Sequence, residues 1–167
     1  MLSNKENFYI KQEEKFCSNT YHTLPFVLSK GKGVYVWDVH GKKYFDFLSS
    51  YSAVNQGHCN RRILNAFVKQ SKKLTLTSRA FYNNELGNSL QYITSIFGYD
   101  KMLPMNSGAE AVEAALKICR KWGYEVKKVK KNKAKIIVCD GNFHGRTTTV
   151  ISFSSCNESK KNFGPLT

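Results

Sequence analysis

The sequence predicts an α/β chain in which a short antiparallel hairpin is followed by alternating helices and parallel strands. Three observations carry this. Around residue 35, apolar and polar residues alternate and the chain reverses through a glycine-containing turn, as a hairpin requires. Between about residues 61 and 122, apolar residues recur at helical spacing. Short apolar runs lie on either side of the last helical stretch, and the order strand, helix, strand implies a parallel sheet.

In chain order, residues 1 to about 30 show no sustained period and read as an arm. Gly33 to Asp38 alternates and is rich in β-branched and aromatic residues, so it reads as a strand. Asp38-Val39-His40-Gly41 forms the turn, and Lys42 to Phe47 returns as the second strand. Arg61 to Lys73 is an amphipathic helix with Ile63, Leu64, Phe67 and Val68 on one face. Asn84 to Phe97 is another, carrying Leu86, Leu90, Ile93 and Phe97, with Gly98 just past its end. Lys101 to Met105 reads as a short strand, weakened as a central one by Pro104. From Ala109 to about Trp122, Val112, Ala115, Leu116 and Cys119 recur at helical spacing, and Gly123 reads as the stop. Lys135 to Asp140 is a continuous apolar run of the buried parallel kind. Thr147 to Phe153 is ambiguous between helix and strand, and no internal repeat is visible.

Composition sets the outer bounds. The 167 residues are 41% hydrophobic and 23% charged, enough for a domain with a core. No apolar run reaches the roughly 18 residues that span a bilayer. The first residues lack an apolar stretch, and Glu6, Glu13 and Glu14 interrupt the acid-free pattern of an organelle transit peptide. The expected location is cytoplasmic. Five cysteines without a Cys-x-x-Cys pair signal neither a disulfide framework nor a zinc site. Cys119 and Cys139 read as core fillers, whereas Cys156 lies in a polar stretch. The net charge of +14 raises nucleic-acid binding as a rival reading. The dense basic run, Lys127 to Lys135, contains no arginine and no aromatic residue, and reads instead as a solvated connecting loop.

Two loops carry chemistry, each placed where a strand ends and ligands collect in α/β sheets. Asn106-Ser107-Gly108-Ala109-Glu110 joins a hydroxyl and a glycine to a helix start, an arrangement suited to a phosphate. It reads equally as a plain N-cap, because Ser107 and Glu110 have capping-box spacing. Gly141-Asn142-Phe143-His144-Gly145-Arg146 sets an aromatic ring and a guanidinium between and after two glycines. Phe143 is suited to stack on a flat ligand and Arg146 to grip a carboxylate bidentately. The alternative is a tight turn with a solvent-facing arginine. His144 alone is a poor candidate for a general base.

Together, Asn106 to Ala111 and Gly141 to Thr147 resemble the two signature loops of the fold-type-I, class-III aminotransferases that act on ω-amino groups. Val34 to Phe47 is similar to that subgroup's early hairpin, and Gln56-Gly57-His58 to its Gly-His element. Ser49 to Cys59 and Leu74 to Asn84 are similar to the members specific for ornithine, and the resemblance runs from Tyr21 to Pro165.

The resemblance implies pyridoxal 5'-phosphate as cofactor. It implies that Ser107, Gly108 and Ala109 hold the phosphate and that Phe143 stacks on the pyridine ring. It further implies that Arg146 and Tyr21 bind the substrate α-carboxylate and that Tyr51 shapes the pocket so that the δ-amine reacts. The implied reaction moves the δ-amino group of ornithine to 2-oxoglutarate, giving glutamate semialdehyde and glutamate. Rival donors are those of the acetylornithine and γ-aminobutyrate aminotransferases or of the glutamate semialdehyde aminomutases. Residues 1–58 would be an arm and hairpin of the small domain, and residues 59–167 the first part of the large cofactor-binding domain. The ring-nitrogen aspartate, the Schiff-base lysine and a second substrate arginine are expected beyond Thr167, so no catalytic residue is assigned within the chain. A homodimer is expected of the full-length protein, with no nucleic-acid or membrane partner and no metal.

Overall fold

The structure, a computed structural model, describes residues 2–18 and 20–167; Met1 and Asn19 lie outside them. The chain forms two compact units, Met1–Tyr82 and Asn83–Thr167.

The first unit is built on an antiparallel sheet of three strands, β1 (Leu28–Lys32), β2 (Tyr35–Asp38) and β3 (Lys43–Phe45), in the order β1-β2-β3. The β2–β3 hairpin forms where the alternation places it, with Tyr35 opposite Phe45 and Trp37 opposite Lys43. Its turn is organised by Asp38, a buried residue. The Asp38 carboxylate accepts the His40 and Lys42 N–H groups at 2.9 and 3.0 Å and the Tyr44 hydroxyl at 2.7 Å. Donation from Tyr44, aided by those two N–H groups, holds the Asp38 carboxyl below the usual carboxylate range. Gly41, at φ +83°, takes the left-handed backbone that closes the turn.

Two features differ from the sequence reading. The strand expected to begin at Gly33 begins at Tyr35, because Gly33, at φ +59°, and Val34 form the turn from β1 into β2. The segment read as an arm contains both β1 and a helix, α1 (Asn4–Phe16). No residue of α1 is buried, so no apolar period announced it. Its start is fixed locally by a capping box: the Ser3 hydroxyl accepts the Glu6 N–H, and the Glu6 carboxylate accepts the Ser3 N–H. Such a cap contributes about 1 kcal/mol. The helix is also tied to the β2–β3 turn. Ser3 Oγ lies 2.7 Å from His40 Nε2, and Lys5 Nζ donates to the Val39 carbonyl at 2.6 Å.

After β3 comes α2 (Ser49–Ser52), a single turn whose four residues all have positive φ. α3 (Arg61–Ser71) follows as predicted, capped by Asn60, whose side chain accepts the Arg62 and Ile63 N–H groups. Its apolar residues Ile63, Leu64, Phe67 and Val68 are exposed.

The second unit contains α4 (Leu86–Phe97), α5 (Gly108–Glu125), α6 (Thr148–Ser152) and α7 (Asn157–Lys160). α4 ends at Gly98, whose left-handed backbone (φ 70°) makes the expected stop. α5 does not stop at Gly123. That glycine is buried inside the helix, which continues to Glu125 and is closed by the Val126 N–H on the Trp122 carbonyl. The ambiguous segment at 147–153 is resolved as helix α6. Val150 and Ile151 of α6 are buried with Leu116 of α5, and these three are the buried apolar residues of the unit.

The strands expected at 101–105 and 135–140 run without ladder bonds to each other or to any other described segment. A strand needs a neighbour to satisfy its backbone, and these two apolar runs do not supply one for each other. Cys119 and Cys139, expected in the core, are exposed, as are the other three cysteines. The lysines of the 127–135 run lie in an exposed connecting loop, as predicted.

Candidate functional site

The first candidate loop opens α5. Ser107 is its N-cap: the Ser107 hydroxyl accepts the Glu110 N–H at 3.2 Å, and Glu110 Oε2 accepts the Ser107 and Asn106 N–H groups at 3.0 and 2.9 Å. This capping box is the arrangement the spacing predicted. It leaves two donors aimed out of the helix end. Gly108 and Ala109 are the first helical residues, and first-turn N–H groups have no intrahelical acceptor. The Ser107 hydroxyl hydrogen is a third, since the oxygen is used only as an acceptor in the box. A Cβ built on Gly108 meets nothing within 4 Å. That open cradle at the positive end of a long helix fits a phosphate group.

The second loop is held by its own side chains. The Gly141 N–H donates to Ser155 Oγ at 2.9 Å. Asn142 Nδ2 donates to the Cys139 and Phe153 carbonyls at 2.6 and 3.1 Å. The His144 ring packs on Phe153 with centroids 5.6 Å apart, which gives that histidine a packing role. Two contacts bring the loop onto α5. Gly145, at φ +118°, approaches so closely that an added Cβ would lie 2.7 Å from the Ala109 Cβ. Thr147 Oγ1 donates to Glu113 Oε1 at 2.5 Å. The loop that carries Phe143 and Arg146 therefore lies against the first turns of the helix opened by Ser107, Gly108 and Ala109. Phe143 is 75% exposed, which leaves its face open to a flat ligand.

The two tyrosines belong to the first unit. Tyr21 lines a groove of about 850 Å³ together with Tyr9, Glu13 and Phe26. Tyr51 sits in α2, with φ 56° and ψ 47°. A left-handed turn of L-residues costs roughly 1–2 kcal/mol per residue, so its surroundings must enforce it. Sequence reasoning missed the residues that do so. The Asp46 carboxylate accepts the Leu48 and Ser49 N–H groups at 3.1 and 2.9 Å and bonds His58 Nε2 at 2.6 Å. The His58 bond, with these N–H groups, depresses the Asp46 pKa. An aspartate three residues before a Ser-rich stretch is a turn signal that was there to be read. No described helix is long and apolar enough to cross a membrane.

The helix opened by Ser107, Gly108 and Ala109 and the Phe143–Arg146 loop packed on it suit a phosphate-bearing, flat cofactor, and residues 16–167 match the class-III aminotransferase family, to which the chain belongs. Among the curated relatives, an ornithine aminotransferase of Brevibacillus brevis is 56% identical over 163 residues, covering 98% of this chain and 41% of that protein. A crystal structure of the Toxoplasma gondii ornithine aminotransferase, with pyridoxal phosphate partly occupying its active site, superposes with a TM-score of 0.94 at 45% identity. It covers 97% of this chain and 38% of that one. An acetylornithine aminotransferase from Elizabethkingia anophelis has a TM-score of 0.79 at 60% identity, covering 93% and 38%. The fold is thus that of the class-III, fold-type-I enzymes, which use pyridoxal phosphate, as the two loops implied. The chain spans about two fifths of the length of the relatives it matches.

Proposed function

We propose that the chain is the N-terminal part of an ornithine δ-aminotransferase that uses 2-oxoglutarate as the amino acceptor. The observation that carries the ornithine assignment is the 56% identity to the Brevibacillus ornithine aminotransferase over 98% of the chain, and the seating of the Phe143–Arg146 loop on the first turn of α5 through Gly145 and Ala109 supports the cofactor site. In this reading the Gly108 and Ala109 N–H groups and the Ser107 hydroxyl hold the cofactor phosphate, and Phe143 covers one face of its ring. Bound there, pyridoxal phosphate supplies the electron sink for amino transfer, while the protein orients the reactants. Arg146 and Tyr21 are each assigned, by resemblance to the family, to the substrate α-carboxylate, the guanidinium by charge and hydrogen bonding. Tyr51 restricts which amine reaches the reacting position.

The cofactor-anchoring lysine, the ring-nitrogen aspartate and a second substrate arginine are proposed to belong to portions of the protein outside residues 1–167. So are a homodimeric state and the assignment of residues 1–58 to a small domain and 59–167 to a large one. A cytoplasmic location is proposed from the sequence pattern alone.

A second reading, an acetylornithine aminotransferase, is favoured by the 60% identity to the Elizabethkingia enzyme. The test is the kcat/KM of the full-length protein for ornithine and for N-acetylornithine with 2-oxoglutarate. Preference for ornithine is expected. Preference for the acetylated substrate would transfer the assignment.

A further inference from the structure

We infer that Asp46 and His58 form a positioning pair that fixes Tyr51, and through it the choice of which substrate amine reacts. The inference rests on the pocket role proposed for Tyr51. It begins from a backbone that does not hold itself. Ser49, Ser50, Tyr51 and Ser52 have φ of 47°, 49°, 56° and 72°, and none is glycine. Side chains in this region persist only where neighbours over-determine them.

Asp46 holds the entry. One carboxylate oxygen accepts the Leu48 and Ser49 N–H groups just before and at the start of the turn, and the other is bonded to His58 Nε2 at 2.6 Å. His58 holds the exit. Its backbone exchanges two hydrogen bonds with Gly33, at 2.8 and 2.9 Å, on the β1–β2 turn. The ring lies across Gly31 of β1, where an added Cβ would stand 2.7 to 2.9 Å from its atoms. The histidine is thus set by the sheet, and the aspartate carries that setting into the loop. Within the loop, the Tyr51 N–H donates to the Leu48 carbonyl at 2.9 Å and the Val54 N–H to Ser49 at 3.0 Å. Those bonds close the turn once its entry is fixed.

The full-length protein with bound cofactor tests this through His58→Leu, His58→Gln, Tyr51→Ile and the double variant His58→Leu/Tyr51→Ile. Glutamine keeps an N–H donor close to the position of Nε2; leucine removes it. In His58→Leu, amide hydrogen exchange at Tyr51 and Val54 should quicken by at least about tenfold, the loss expected for a hydrogen bond to a charged group. Exchange within β2 and β3 should not change, and His58→Gln should restore protection. The kcat/KM ratio for ornithine against an ω-amino acid lacking an α-amine should shift in His58→Leu in the direction of Tyr51→Ile. Added to Tyr51→Ile, His58→Leu should shift the ratio no further, as coupled residues behave. Unchanged exchange at Tyr51 overturns the positioning role whatever the kinetics. So does an equal rise throughout the sheet, which would make His58 a support of the whole unit. A Tyr51→Ile ratio equal to the parent's overturns instead the pocket reading on which the inference rests.

Discussion

Gly145 and Ala109 touch so closely that no side chain fits between them: a Cβ on Gly145 would stand 2.7 Å from the Ala109 Cβ. This contact joins the loop of Phe143 and Arg146 to the Ser107–Ala109 end of α5. Gly145 also has φ +118°, a conformation open to few residues other than glycine. Gly145→Ala should therefore destabilise the full-length protein by about 1–3 kcal/mol through overpacking and backbone strain. It should also weaken cofactor binding, because the two loops no longer register. Urea unfolding with and without pyridoxal phosphate measures both effects. Parent-like stability would mean that the contact relaxes freely.

Much of this arrangement was legible in the sequence, and what was hidden was hidden for physical reasons. α3 and α4 were visible from their apolar periods, to which Gly98 added an end signal for α4, whereas the Asn60 cap of α3 shows only in the structure. α1 has no buried face, and the Ser3–Glu6 capping-box spacing, its one local signal, went unread. β1 is Leu-Ser-Lys-Gly-Lys, a sequence with little strand character that is recruited by the ladder to β2. The runs at 101–105 and 135–140 show the converse, strand-like sequences without strand partners. At the site, Ser107, Gly108, Phe143 and Arg146 could be picked out from loop chemistry. The seating of Gly145 on Ala109 is a tertiary contact that no local pattern states. The left-handed backbone of Ser49 to Ser52 is equally silent, since nothing in Ser-Ser-Tyr-Ser demands it.

Asp38 should make the hairpin of the first unit acid-sensitive. Its carboxyl lies below the ordinary value of 3.8, chiefly because Tyr44 donates to it, with the His40 and Lys42 N–H groups and the nearby His40 ring contributing. Glu6 also faces this cluster through Tyr44. A group with a depressed folded pKa stabilises fully above its unfolded value and loses that contribution as pH falls through the folded value. The stability advantage of the parent over Asp38→Asn should thus be largest above about pH 4 and fade at lower pH. Thermal unfolding of the two proteins across pH checks this. A gap that widens on acidification would contradict it.

Arg146 follows Gly145 on the loop seated on α5, where its planar fork suits a carboxylate. Arg146→Lys preserves the charge and loses the bidentate geometry. Its KM for ornithine should rise roughly ten- to a hundredfold, in line with the 1.5–3 kcal/mol of a charge-assisted bond. Steady-state kinetics of the full-length enzyme at saturating 2-oxoglutarate provide the check, and an unchanged KM would leave Arg146 without a substrate role.

The phosphate cup is the central claim, and Gly108 allows it to be tested cleanly. A Cβ there meets no protein atom within 4 Å, and Gly108 is not among the glycines at positive φ. Gly108→Val should consequently fold normally, so that any loss of affinity reports on what occupies the space outside the helix end. An absorbance titration of the full-length apoprotein with pyridoxal phosphate is the direct measurement. The cup predicts a Kd raised by at least about tenfold, a cost of about 1.4 kcal/mol, with the unfolding temperature of the apoprotein unchanged. Cofactor bound as tightly as by the parent would contradict it.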